Sequence, residues 1–166
     1  CSEKFAKAHG GDYIEVTGSG RGGSPAALQG REQMTTIPST KIASEAAYKM
    51  AGITAKDVDF AEVHDCFTIA EVVDTEDLGF FGKGQGIQAI REDRTKLNSD
   101  ISINPSGGLK SKGHPIGATG IGQVVEVYDQ LTGKAGERTV KDAKVGLTHN
   151  FGATGASCAV HVFQSV

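Results

Sequence analysis

The chain has 166 residues, 38% of them hydrophobic and 22% charged, which excludes a disordered segment and fits one ordinary domain or one half of a two-domain enzyme. Its 17 basic and 20 acidic residues leave a net charge of -3, which argues against a nucleic-acid partner, since that needs a basic face. No apolar run approaches the roughly 20 residues of a membrane helix, and three cysteines without paired spacing give no disulfide framework and no zinc or other metal pattern, so reduced, cytoplasmic surroundings are the default expectation.

In chain order, Cys1 stands where a start methionine would, and the chain reads as a piece of something longer. Residues 12–17 alternate and predict a strand. The stretch from Gly18 to Pro38 has no clean period and is expected to be an excursion over a binding face. Ser39 or Thr40 can cap a helix to about Met50, with Ile42, Ala46 or Ala47, and Met50 as its buried stripe. Thr54 and Asp57 resemble a capping box. Val58 to Val63 predicts a second strand, and a helix follows from Phe67 to Leu78. Gly82 to Gly86 reads as a loop, Ile87 to Arg91 as a short helix, and Ser102–Ile103 as the end of a third strand.

Asn104 to Pro115 reads as a glycine-rich loop. A long helix is expected from Ala118 to Leu131, with Ile121, Val124, Val125 and Tyr128 facing the core. Ala143 to His149 and Ser157 to Phe163 are apolar strands joined by a short glycine turn, hence an antiparallel hairpin. Strands alternating with helices give a layered α/β domain with a mostly parallel mixed sheet and helices on its faces. No repeat or internal boundary is visible.

Three reactive segments each follow a predicted strand, on the edge where open α/β sheets bind ligands. His64-Asp65-Cys66 sits at a strand-to-helix turn, and the helix start is expected to lower the thiol pKa. Cys66 is then a nucleophile or an acid/base, or else a structural cysteine beside a capping aspartate. Asn104 to Gly120 carries glycines, Lys110, Lys112 and a helix start, which suit a phosphate. It also holds His114 between Gly113 and Pro115, which suits catalysis. A tight crossover explains the same residues. His149-Asn150-Phe151-Gly152 ends in a turn whose amides can bind an oxyanion or simply turn the chain. His9, His161 and Cys158 read as structural.

Together these segments resemble the C-terminal half of a thiolase, over essentially the whole chain. His64-Asp65-Cys66-Phe67 resembles the HDCF motif of the sterol-carrier-protein-type and archaeal-type branch, which stands where other thiolases carry NEAF. Gly113-His114-Pro115 resembles the GHP motif. Asn150-Phe151-Gly152 falls where other thiolases carry a Cys-x-Gly. The resemblance implies a Claisen condensation of two acyl-CoA units, or its reverse, thiolysis. It gives His114 the activation of a nucleophilic cysteine and a share, with His64, of an enolate oxyanion site. It makes Cys66 the acid/base, places Gly152 in a second oxyanion hole, and sets Asn150 and Phe151 at the substrate pocket. Coenzyme A thioesters are then substrates, and no bound cofactor is implied.

The family's nucleophilic cysteine lies in an N-terminal half that this chain lacks. By the same resemblance, Cys1 falls in the end of a linking strand, the other half covers one apolar face, and the intact protein is a homo-oligomer. Residues 1–166 are therefore expected to form one C-terminal domain, inactive alone. Two other readings stay open: a CoA- or lipid-binding module without chemistry, and a relative that cleaves steroid side-chain aldol adducts.

Overall fold

The computed structural model describes residues 1–152 and 154–166. Six helices and five strands are assigned among them: α1 (Glu3–His9), β1 (Ile14–Gly23), α2 (Pro38–Ala51), β2 (Phe60–Glu62), α3 (Thr68–Asp77), α4 (Gly86–Arg91), β3 (Ser102–Ile103), α5 (Gly108–Lys112), α6 (Thr119–Leu131), β4 (Val145–Gly152) and β5 (Ser157–Ser165). One sheet runs in the order β1-β5-β4-β2-β3. β2 pairs in parallel with β3 and β4, while β5 runs antiparallel to both β4 and β1. The α/β layering and the C-terminal hairpin follow the sequence expectation, and the capping box of Thr54 and Asp57 is formed.

Two cores sandwich this sheet. Ala43 and Ala47 of α2 and Ala70 of α3 pack on one face with Ala61, Leu147, Val160 and Val162. Phe60, Val127 of α6, Val140 and Phe163 pack on the other.

β1 departs from the expected excursion, because the strand continues to Gly23. A bulge explains the lost period. Val16 pairs with Phe163, whereas Gly18 pairs with Val162, so the register shifts at Thr17. An extra residue turns the following side chains to the opposite face. Beyond it, Gly18, Gly20 and Gly22 face α2. A Cβ at Gly20 would overlap the Ala43 carbonyl oxygen and lie 2.8 Å from the Ala47 amide nitrogen. The helix rests directly on the strand backbone, which only glycine permits.

That close approach also reorders α2. Its buried face is Ser39, Thr40, Ala43, Ser44 and Ala47; of the expected stripe Ala47 is buried, but Ile42 and Met50 are 49% and 68% exposed. Small side chains fit against a glycine strand, and large ones point away. α6 departs in part from its expected face, of which Val124 packs on the core and Tyr128 is half-buried. Thr119, Gln123, Glu126, Val127 and Gln130 are buried, while Ile121 and Val125 are 68% and 52% exposed. The first residues form α1 rather than the end of a strand. The Ser2 hydroxyl accepts the Phe5 amide, and Gly10 closes the helix at positive φ. No helix of the described residues is long and apolar enough to cross a membrane.

Gly20→Ala should cost about 1–3 kcal/mol, because a methyl group there meets backbone rather than a flexible side chain. Gly23→Ala, with nothing nearer than 3.9 Å, should change stability by less than about 0.5 kcal/mol. Urea unfolding midpoints of the two variants measure the contrast.

Candidate active site

β2 ends at Glu62, and the chain then turns through Val63, His64, Asp65 and Cys66 into α3. This turn is fastened by its own carboxylate. Buried Asp65 accepts the Leu109 amide at 2.8 Å and the Lys110 amide at 3.3 Å, so it caps α5 from the neighbouring segment. Gly108 makes the contact possible. It sits at φ +62°, and a Cβ there would overlap the Asp65 carboxylate.

Glu62 adds a second tie. It accepts the Ser106 amide at 3.0 Å, the Ser106 hydroxyl at 2.6 Å, and the Lys112 ammonium at 3.5 Å. Burial pushes its carboxyl up, and these three donors oppose the shift.

These ties remove the phosphate reading of the glycine loop. The Gly108 amide that opens α5 donates to the Ser106 hydroxyl at 3.2 Å, and the next two are taken by Asp65. Lys112 turns to Glu62 and Ser106, and Lys110 donates to the Cys66 carbonyl at 3.3 Å. The expected loop contains the turn of helix α5, whose start is capped in this way.

The ties bring three rings together. His64, 4% exposed, meets His114 edge-on with centroids 4.9 Å apart, and Phe151 at 4.7 Å. Burial, with the neighbouring His114 second, pushes His64 down to about 4, so the imidazole is neutral near pH 7. Its Nδ1 is buried without a partner. Orphaned buried N–H groups are rare, so we assign the ring proton to Nε2, where it can be donated.

His114 is exposed, and its Nδ1 lies 2.7 Å from the Thr119 hydroxyl. Thr119 in turn donates to the Pro115 carbonyl at 3.2 Å. With its hydroxyl proton so used, Thr119 accepts from Nδ1–H, and Nε2 of His114 carries the lone pair of a base. The two histidines thus present a donor and an acceptor side by side.

Cys66 is half-buried, and burial pushes its thiol up, with the Phe67 amide opposing. This corrects the expected lowering by a helix start. α3 begins at Thr68, and desolvation outweighs its amides. Cys158 is buried in the core and pushed to about 12, the structural cysteine it was read to be. Phe151 walls the site against His64. Asn150 is turned instead to α6, where its amide donates to Gln123 Oε1 at 3.1 Å. Gly152 ends β4 and is exposed. The described residues hold no cluster of three or more His, Cys, Asp or Glu side chains able to bind a metal.

Sequence reasoning missed Asp65 as the clamp of the loop, Thr119 as the partner of His114, and Gln123. Gln123 was findable as a polar residue inside an apolar helix run.

A thiolase C-terminal domain-like family model matches residues 20–165. The chain belongs to this family. The thiolase domain is 45% identical over 164 residues to the acetyl-CoA acetyltransferase of Methanothermobacter thermautotrophicus, covering 99% of this chain and 43% of that protein. It is 43% identical over 161 residues to the acetyl-CoA acetyltransferase of Methanocaldococcus jannaschii, covering 92% of this chain and 40% of the relative. Human sterol carrier protein 2 is 41% identical over 141 residues, 76% of this chain and 26% of that protein. The chain therefore spans less than half the length of these curated relatives. In fold it is similar to a solved structure titled Ltp2-ChsH2(DUF35) aldolase, with a TM-score of 0.81 and 19% identity, over 93% of this chain and 40% of that one.

Acid should unfold the thiolase domain partly through His149. This residue is fully buried, and desolvation with His64 beside it pushes it down to about 3. Its folded value lies below the ordinary 6.5, so its contribution is complete above about pH 6.5 and is lost as pH falls toward 3, where only the unfolded chain takes up the proton. Urea midpoints at pH 7 and pH 4.5 should fall less for His149→Leu than for the parent.

Proposed function

We propose that this thiolase domain is the C-terminal half of a longer acyl-CoA thiolase. It supplies acid, base and oxyanion groups for Claisen condensation of acyl-CoA, or for thiolysis of 3-ketoacyl-CoA. The observation that carries this reading is the meeting of His64 and His114, 4.9 Å apart, beside Phe151. Three segments far apart in sequence converge there, and their chemistry fits a thioester enolate.

In thiolysis, His114 Nε2 takes the proton of a cysteine on the other half, and that thiolate adds to the 3-keto carbon. Breaking the bond between carbons 2 and 3 leaves an acyl thioester on the cysteine and an enolate of the departing acetyl-CoA. The enolate oxygen accepts from Nε2–H of neutral His64 and from the His114 imidazolium.

Cys66 then delivers its proton to carbon 2. A thiol held up by burial arrives protonated, which suits this step better than nucleophilic attack. The thiol of coenzyme A reprotonates Cys66 and attacks the thioester, whose oxygen sits against the Gly152 amide. Acyl-CoA leaves, and His114 returns its proton to the freed cysteine. Coenzyme A is a substrate throughout.

The other half docks on the outward face of α6. Ile121 and Val125 are 68% and 52% exposed there, and Ile116, just ahead of the helix, is 84% exposed. Ile121 and Val125 also border a cavity of about 460 Å³ with Leu109, Lys112 and Gln123. An apolar face of this kind asks for a cover, and the archaeal relatives carry more than half their length outside the matched span.

In the intact protein, Cys66→Ala and His114→Ala should each lower kcat for acetoacetyl-CoA thiolysis by at least about 10²-fold, and the 166-residue chain alone should give no turnover. Wild-type rates in Cys66→Ala, or robust thiolysis by the chain alone, would overturn this division of labour. Coenzyme A binding without turnover by the intact protein would leave a binding module instead.

A further inference from the structure

Beyond Glu62 and Thr148, the last parallel pair of β2 and β4, main-chain pairing stops and side chains take over. From the α6 side, the Gln123 amide donates to the Glu62 carbonyl at 3.2 Å and to the His149 carbonyl at 3.0 Å. From the α2 and α3 side, the His149 ring reaches the next residue of the turn. The His64 main-chain N–H donates to His149 Nδ1 at 3.4 Å.

A neutral imidazole has one lone pair and one N–H. Nδ1 accepts from a backbone amide, so the proton lies on Nε2. That atom is 2.9 Å from the Thr40 hydroxyl and 3.6 Å from Asp74 Oδ1. Thr40 donates onward to Asp74 Oδ1 at 3.5 Å. All three side chains are sealed from solvent, each at 0% exposure. The result is a directed chain: His64 N–H to His149, His149 to Thr40, Thr40 to Asp74. Each link lies on a different element, β4, α2 and α3, and all three elements surround the turn that carries His64.

We propose that His149 is a positioning residue for His64. Backed by Thr40 and Asp74, it pins the His64 main chain where the β2–β4 ladder ends, and thereby fixes the His64 ring against His114. The role follows from what else holds His64. Its own Nδ1 has no partner, and its ring meets His114 and Phe151 edge-on. Ring contacts set a separation but carry no hydrogen-bond direction. The amide bond to His149 is the one directional restraint recorded on this residue among the described residues. A donor aimed at an enolate oxygen must be held to a fraction of an ångström, since a misplacement of about 1 Å can cost 10²-fold in rate. The catalytic consequence rests on the thiolase reading above, whereas the pinning itself does not.

The test separates hydrogen bonding from packing. His149→Leu fills the space but accepts no hydrogen bond. His149→Asn keeps an acceptor near the place of Nδ1 and gives up the reach to Thr40. In the intact protein, hydrogen exchange at the His64 amide should quicken at least ten-fold in His149→Leu and stay within about three-fold of the parent in His149→Asn. Steady-state thiolysis of acetoacetyl-CoA should show a kcat at least ten-fold lower in His149→Leu, with KM changed less than three-fold, and kcat mostly restored in His149→Asn. Unchanged His64 exchange in a folded His149→Leu would overturn the pinning. Faster exchange with unchanged kcat would overturn the positioning role. A parent protein without thiolysis would refute the proposed function, while the exchange comparison would still decide the pinning.

Discussion

The Asp65 carboxylate holds the candidate site in place. It is buried on one segment and satisfied by two first-turn amides of a helix on another. A buried charge without such donors would be costly, and α5 without a cap would leave its own amides unmatched. Each need meets the other only when the turn after β2 and the glycine loop lie side by side. His64 and Cys66 flank Asp65, and His114 stands two residues beyond the end of α5. One capping contact therefore sets how far the HDCF turn lies from the GHP loop. The positive φ of Gly108 and the ion pair of Glu62 with Lys112 are supports for that contact.

The site was more legible than the fold around it. His64, Cys66 and His114 occur in short motifs whose residue types are unusual together, and their chemistry is local to each motif. What sequence could not supply was the partner of each group. Asp65 reads as an ordinary cap for its own helix, and only the tertiary structure hands it to α5. The expected low thiol pKa of Cys66 failed for the same reason. A helix start is visible in sequence, but the burial that outweighs it is not. β1 was half legible, because its first residues alternate and its later ones replace side chains with glycine.

α6 shows why its buried face was misread. Periodicity counts apolar residues and assigns them inward. Here the inward face carries Gln123, Glu126 and Gln130, which do the work of backbone. Gln123 bridges the ends of β2 and β4. Gln130 accepts the Val140 amide at 2.8 Å and donates to the Arg138 carbonyl at 2.8 Å. Glu126 takes the Arg138 guanidinium at two points. Buried polar groups persist when every member is matched, and these are matched to strand ends and loops that would otherwise lack partners. Val127 stays in the core with Val124 and Leu131 against it, while Ile121 and Val125 are left on the outer side of the helix.

The bulge at Thr17 bears on which lengths of β1 this lineage can tolerate. Ahead of it, even-numbered residues lie toward α6; behind it, even-numbered glycines lie toward α2. Losing that single residue would remove the bulge and leave the other side chains on their present faces, since Val16 and Gly18 would alternate as neighbours; losing Ser19 alone would instead turn Arg21 onto the face where α2 touches bare backbone and carry Gly20 and Gly22 to the opposite face. Two residues lost or gained together would preserve the phase. Beyond the bulge, insertions and deletions should therefore survive in natural variation only in even steps, as a frame counted in twos, whereas Thr17 itself can be lost singly.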